Sequence, residues 1–145
     1  MEQKISEERF IPKVFSYENH LEHYHRYNWV LELVKDKVIL DAASGEGYGS
    51  FVLSTVASKV TGVDISESAI FKAKEKYKKD NLNYICADVT KLPFEDNSFD
   101  VFISFETLEH HDKHHEMLSE VKRVLKSDGI LVISSPEHYF YSLKK

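Results

Sequence analysis

Val38-Ile39-Leu40-Asp41-Ala42-Ala43-Ser44-Gly45-Glu46-Gly47-Tyr48-Gly49 is a short apolar run that ends in an acid, then passes through small residues and spaced glycines into an amphipathic stretch. This is the pattern of a buried parallel strand handing over to a helix with room for a ligand against the backbone. Glycine reaches positive φ without strain, and its missing Cβ lets a nucleotide-sized group come close. The helix that follows turns its N–H groups and positive dipole end toward that space. Taken alone, the stretch also fits a tight strand–helix turn that binds nothing.

Two further runs bear on that choice. Val60-Thr61-Gly62-Val63-Asp64-Ile65-Ser66 reads as a second strand ending in an acid, 23 residues after Asp41. An acid at the tip of the second strand is placed to accept both ribose hydroxyls of an adenosine-type ligand. The plainer alternative makes Asp64 a cap for the next helix, a role that Ser66 fills alone. Tyr84-Ile85-Cys86-Ala87-Asp88-Val89 reads as a third strand, again ending in Asp. Parallel strands end on one edge of their sheet, so the three acids gather there.

Around these runs the chain alternates strand and helix patterns. Strands are expected at 37–42, 59–64, 83–87, 100–105 and 130–134, and helices at 47–57, 67–79 and 113–126, the last with Asp112 as N-cap. Ile70, Ala73 and Tyr77 recur at helical spacing, as do Met117, Leu118, Val121, Val124 and Leu125. Before the first strand, Leu21, Tyr24, Trp29, Val30, Leu33 and Val34 mark a helix with one apolar flank. Lys91 to Ser98 contains Pro93 and turn formers and reads as a loop, and Ser127-Asp128-Gly129 breaks the last helix. Strands apolar on both sides call for a parallel sheet covered on both faces, and right-handed crossovers make it doubly wound.

The 145 residues, 42% hydrophobic and 12% aromatic, make one domain over 1–145, with a lead-in and helix over 1–36 and a core over 37–136. The net charge of −5 offers no general attraction for nucleic acid or anionic membranes. No apolar run approaches the roughly 18 residues of a membrane helix, and the charged N-terminus is unlike a signal peptide. Cys86, the one cysteine, is expected as a small core residue, and with the rest this fits a reducing cytoplasm.

The chain resembles the class I S-adenosylmethionine-dependent methyltransferases over roughly residues 37–136. Leu40–Gly47, Gly62–Ser66, Cys86–Val89, Leu92–Val101 and Leu125–Leu131 carry the resemblance, and their order and spacing strengthen it. A nicotinamide dinucleotide fits less well. Its fingerprint wants Gly or Ala where Ser50 stands, and a diphosphate gains nothing from Asp41, whereas a ligand carrying an ammonium and a sulfonium does. The resemblance implies a Rossmann-like sheet with S-adenosylmethionine as donor. It places Asp41 near the methionine ammonium, with Ala43, Ser44, Gly45 and Gly47 around the amino-acid part. Asp64 would take the ribose, Ile65 would lie against the adenine, Asp88 would accept the adenine amino group with Val89 nearby, and Phe105 would border the sulfonium. Ala43 stands where the family usually has glycine.

Methyl transfer is an in-line displacement that depends on orientation and exclusion of water, and a hydroxyl acceptor also needs a base or metal. Glu106, Glu109 and His110 are spaced three and four apart after the fourth strand, which brings side chains together on a helical turn. They resemble the acids and histidine of ubiquinone-biosynthesis O-methyltransferases. Three readings stay open: a Mg-type divalent cation site, His110 as general base, and a solvated connection. His114 and His115 read as solvated, and no cysteine pair supports zinc. The segments Glu8–Pro12, Glu22–Tyr27, Ser104–His110 and Ser134–Pro136 resemble methyltransferases found with polysaccharide and O-antigen assembly, which implies a glycan or other small-molecule acceptor. His25 and Arg26 would meet a polar acceptor or simply face water.

Family members continue with a sixth and seventh strand that this sequence does not display. Strand five is therefore expected to be an exposed edge, which truncation to a fragment, self-association or a partner chain would each account for. The same gap sustains a second functional class, a donor-binding module that is inactive or regulatory on its own.

Overall fold

The computed structural model describes residues 29–105, 113–134 and 140–144. Residues 29–34 are helical (α1). Then follow β1 (Val38–Ala42), α2 (Tyr48–Ser54), β2 (Lys59–Asp64), α3 (Glu67–Lys76), β3 (Leu82–Cys86), β4 (Phe99–Phe105), α4 (His114–Val124), β5 (Leu125–Ser134) and β6 (Phe140–Lys144). The strand order is β3-β2-β1-β4-β5-β6, with β1 to β5 parallel and β6 antiparallel to β5. The chain winds outward from β1 to β3 and then returns to the other side of β1. That reversal opens a crevice at the C-terminal ends of β1 and β4, where ligands bind in such sheets.

Alternate residues of each strand feed two cores, which explains why the strands read as apolar throughout. Leu40, Phe102 and Leu131 pack with Met117, Val121 and Val124 of α4. Their neighbours Ile39, Val101, Ile103 and Val132 pack on the opposite face with Val30 and Val34 of α1 and Leu53 of α2. A smaller cluster sets Ile70 and Ala73 of α3 on Tyr84. Burial of these side chains, at about 1.5–3 kcal/mol for each large one, is the main favourable term for the sheet.

Several expectations change. Trp29 is 59% exposed and Leu118 42% exposed, because each sits one residue, about 100° of helix, from the buried rows Val30–Val34 and Met117–Val121. Cys86 is exposed rather than core, being the last residue of the strand that ends the sheet. Lys113 occupies the N-cap position of α4 and makes no side-chain capping bond. The expected cap, Asp112, lies outside the described residues. Strand five begins at Leu125 rather than Ile130: Leu125 pairs with Phe99, the register shifts, and pairing resumes at Val101–Ile130. Gly129 makes this bulge possible, since a Cβ there would lie 2.9 Å from Leu125 Cδ2 and 3.0 Å from the Lys126 carbonyl. The edge of β5 is not open. Residues 140–144 form a sixth strand on it, from Ile130–Lys144 to Ser134–Phe140, so that edge of β5 is paired within the chain and not by a partner strand.

The loop before β4 is fastened by a residue that sequence reading passed over. Arg123 of α4 donates to the carbonyls of Phe94 (2.6 Å) and Leu92 (3.0 Å), to Asp96 Oδ1 (3.0 Å) and to both carboxylate oxygens of Glu120. Glu120 Oε1 in turn accepts the Leu92 N–H at 2.8 Å. A planar, multiply donating guanidinium is suited to this task. It anchors the segment that follows Asp88 and so steadies one wall of the crevice.

Candidate functional site

At the C-terminal end of β1 the chain leaves the sheet at Ala42 and turns through three left-handed residues: Ala43 (φ 59°), Gly45 (φ 61°) and Gly47 (φ 97°). Ala43 explains the family's glycine there, because left-handed backbone disfavours a Cβ. The turn is held to β2 by Ser44, whose N–H donates to the Val63 carbonyl at 2.8 Å.

Gly47 is closely packed by neighbouring elements. A Cβ at this residue would lie 2.8 Å from Ala73 Cβ and 2.8 Å from Tyr84 Oη. The space it leaves is filled by protein, so Gly47 lets α2 seat against α3 and β3. Tyr84 Oη also donates to the Gly47 carbonyl at 3.3 Å. Burial, then the negative charge of Asp41, pushes the Tyr84 phenol up, so it stays a neutral donor.

Asp41 and Asp64 form the polar heart of the crevice. Asp41 is 1% exposed and its Oδ2 accepts the Ser50 hydroxyl of α2 at 2.7 Å. Burial pushes its carboxyl up to about 7, against the lowering effect of Ser50 and with a further raising effect from Asp64. Asp64 is 8% exposed and reaches back to the turn. Its Oδ2 accepts the Gly45 N–H at 2.9 Å and its Oδ1 accepts the Ser66 N–H at 2.9 Å. Asp64 therefore ties the turns after β1 and β2 together. Ser66 caps α3 independently, with its hydroxyl accepting the Ala69 N–H at 3.2 Å.

The remaining residues lie along the same strand edge. Ile65, next to Asp64, is 70% exposed, an isolated apolar surface beside a buried acid. Asp88 is exposed and its Oδ1 accepts both the N–H (2.9 Å) and the hydroxyl (2.7 Å) of Thr90, an Asx turn. Val89 is half-buried against the α4-side core, and half-buried Phe105 at the end of β4 packs on the opposite core. Ser44 and Ser104 carry buried hydroxyls without a hydrogen-bond partner, Ser104 at 0% exposure.

Glu106, Glu109 and His110 lie outside the described residues, as do His25 and Arg26. Among the described residues no cluster of histidine, cysteine and acids fits a metal ion, and His114 and His115 are exposed. No helix among the described residues is long and apolar enough to cross a membrane.

These features agree with comparison to known proteins. The family model described as "Methyltransferase domain" matches residues 40–133. A probable S-adenosylmethionine-dependent methyltransferase of Mycobacterium tuberculosis is 33% identical over 104 residues, covering 72% of this chain and 37% of that protein. A phthiotriol/phenolphthiotriol dimycocerosates methyltransferase of Mycobacterium ulcerans is 31% identical over 116 residues, covering 79% of this chain and 42% of that one. A crystal structure of a Pyrococcus horikoshii protein superposes with a TM-score of 0.69 at 34% identity, over 83% of this chain and 63% of that one. The chain spans about two fifths of the length of these curated relatives. From the matched domain, the fold and the acid-lined crevice together, the chain belongs to the class I S-adenosylmethionine-dependent methyltransferases.

Proposed function

We propose that this domain binds S-adenosylmethionine along the C-terminal edge of β1 to β4, and that the protein transfers its methyl group to a hydroxyl of a sugar or other small molecule. The observation that carries the donor site is the pair of buried acids at adjacent strand ends, Asp41 and Asp64, joined through the Gly45 turn. A diphosphate would be repelled there, whereas the donor's ammonium and ribose hydroxyls are the groups two carboxylates attract. When bound, the donor supplies an electrophilic methyl group on a sulfonium.

The chain's own residues then bind, orient and exclude water. Asp41 faces the ammonium, and Ala43, Ser44, Gly45 and Gly47 shape the wall around the amino-acid part. Asp64, held at the tip of β2 by the Gly45 and Ser66 N–H groups, accepts the ribose hydroxyls. The exposed Ile65 side chain offers the adenine an apolar face, with Asp88 and Val89 at its polar edge and Phe105 beside the sulfonium. On the acceptor side, His110 is assigned as the base that takes the hydroxyl proton. A divalent cation held by Glu106, Glu109 and His110 is the other reading of that spacing. The glycan choice rests on the N-terminal and Glu106–His110 resemblance, while one relative is named for a phthiotriol acceptor.

Donor affinity and donor turnover test the two halves separately. Asp64→Ala is expected to weaken binding of S-adenosylhomocysteine by about tenfold or more, the scale of one charge-assisted hydrogen bond. Unchanged affinity in calorimetry would remove Asp64 from the ribose. Formation of S-adenosylhomocysteine with glycan acceptors, lost in His110→Ala and indifferent to EDTA, supports the base; loss with EDTA supports the cation. Tight donor binding with no turnover on any acceptor would mark a binding module instead.

A further inference from the structure

We propose that Ser50 is a positioning residue for donor binding: its hydroxyl holds the Asp41 carboxylate in the orientation and charge state that a cationic donor needs, and Gly62 is glycine to make room for it. The inference rests on the donor reading above.

The register of the sheet explains the arrangement. Asp41 of β1, Gly62 of β2 and Tyr84 of β3 lie side by side in one cross-strand row. Ser50 descends from α2 into that row, fully buried, and donates to Asp41 Oδ2 at 2.7 Å. A Cβ on Gly62 would come within 2.7 Å of Ser50 Oγ and 3.0 Å of Ser44 Cβ and Oγ. The hydroxyl thus occupies the position a side chain at residue 62 would take.

The groups facing Asp41 make this bond decisive. Asp64 on β2 adds a like charge that disfavours ionisation, and Tyr84 on β3 stays neutral. Ser44 Oγ, although buried nearby, has no hydrogen-bond partner. Among the described residues, Ser50 is therefore the side chain that offsets burial and keeps the carboxylate available near neutrality, with a midpoint of about 7. Without it, a buried acid beside another acid takes up a proton and loses its attraction for an ammonium.

The test is the pH profile of S-adenosylhomocysteine affinity from pH 5.5 to 8.5, measured by calorimetry on proteins whose fold is checked by circular dichroism. The wild-type affinity is expected to rise with pH through about 7 and then level off. In Ser50→Ala the midpoint moves up by about one pH unit, the scale of a hydrogen bond to a charged group. Affinity then falls about fivefold at pH 7 yet stays within about twofold of wild type at pH 8.5. Ser50→Thr, which keeps a hydroxyl, retains the wild-type midpoint. Gly62→Ala displaces the hydroxyl and reproduces the upward shift, and adding Ser50→Ala to it shifts the midpoint no further. A flat wild-type profile, or a Ser50→Ala loss equal at every pH, overturns the proposal while leaving the donor reading intact. Absence of binding by the wild type at every pH overturns both.

Discussion

Replacing Gly47 by alanine separates a glycine that serves the fold from one that serves a ligand. The residue sits at φ 97°, and a new Cβ would lie 2.8 Å from Ala73 Cβ and 2.8 Å from Tyr84 Oη. Left-handed backbone costs a non-glycine residue about 1–2 kcal/mol, and forcing one methyl into a packed interior adds about 1–3 kcal/mol. The stiffer unfolded chain returns about 0.4–1 kcal/mol, leaving a net loss of about 2–4 kcal/mol. Unfolding entropy of about 2.1 cal/mol/K per residue, over 145 residues, converts this to a fall in Tm of about 7–13 °C. The assay is thermal unfolding followed by circular dichroism without ligand, repeated in Tyr84→Phe. Removing the phenol oxygen relieves one of the two close contacts, so Gly47→Ala is expected to cost less in the Tyr84→Phe background. The reasoning fails if Gly47→Ala melts within about 2 °C of wild type while donor affinity alone is lost, because the space would then belong to the ligand.

Two other outcomes follow from the geometry. Asp41 has its carboxyl raised from 3.8 to about 7, so the folded state holds the proton more tightly than the unfolded chain. Its contribution to stability is present below pH 3.8 and is lost as pH rises through about 7. The stability of wild type minus that of Asp41→Asn, from urea unfolding, should therefore fall across that window by up to about 4 kcal/mol; a pH-independent difference would contradict the burial argument. Arg123→Lys keeps the charge but cannot reach the Leu92 and Phe94 carbonyls together with Glu120 and Asp96. It should cost about 2 kcal/mol and raise amide exchange over residues 90–98, and unchanged exchange there would show that the guanidinium does not fasten the loop.

The crevice was legible in part because strand ends announce themselves locally. Asp41, Asp64 and Asp88 each close an apolar run, and parallel strands deliver such residues to one edge whatever the side-chain details. The roles of Gly47, Gly62 and Ser50 were not legible, since each depends on atoms from another element: Ala73 and Tyr84 against Gly47, and Ser50 and Ser44 against Gly62. Arg123 was missed for the same reason, as its partners Leu92, Phe94 and Asp96 lie about 30 residues away in sequence.

By itself, the sequence determined the order of strands and helices, the doubly wound sheet and the acid-tipped edge, because hydrophobic period and turn chemistry act over a few residues. It misjudged the end of the sheet. The run Leu125–Ser134 looked like a helix end, a break and a bare edge strand, whereas the folded chain continues pairing around a Gly129 bulge and lays residues 140–144 against β5. Long-range packing sets that pairing, and it also brings a serine on α2 to a carboxylate on β1 above a glycine on β2. Both outcomes are set by which backbones come within hydrogen-bonding distance, a property of three elements at once that no local pattern encodes.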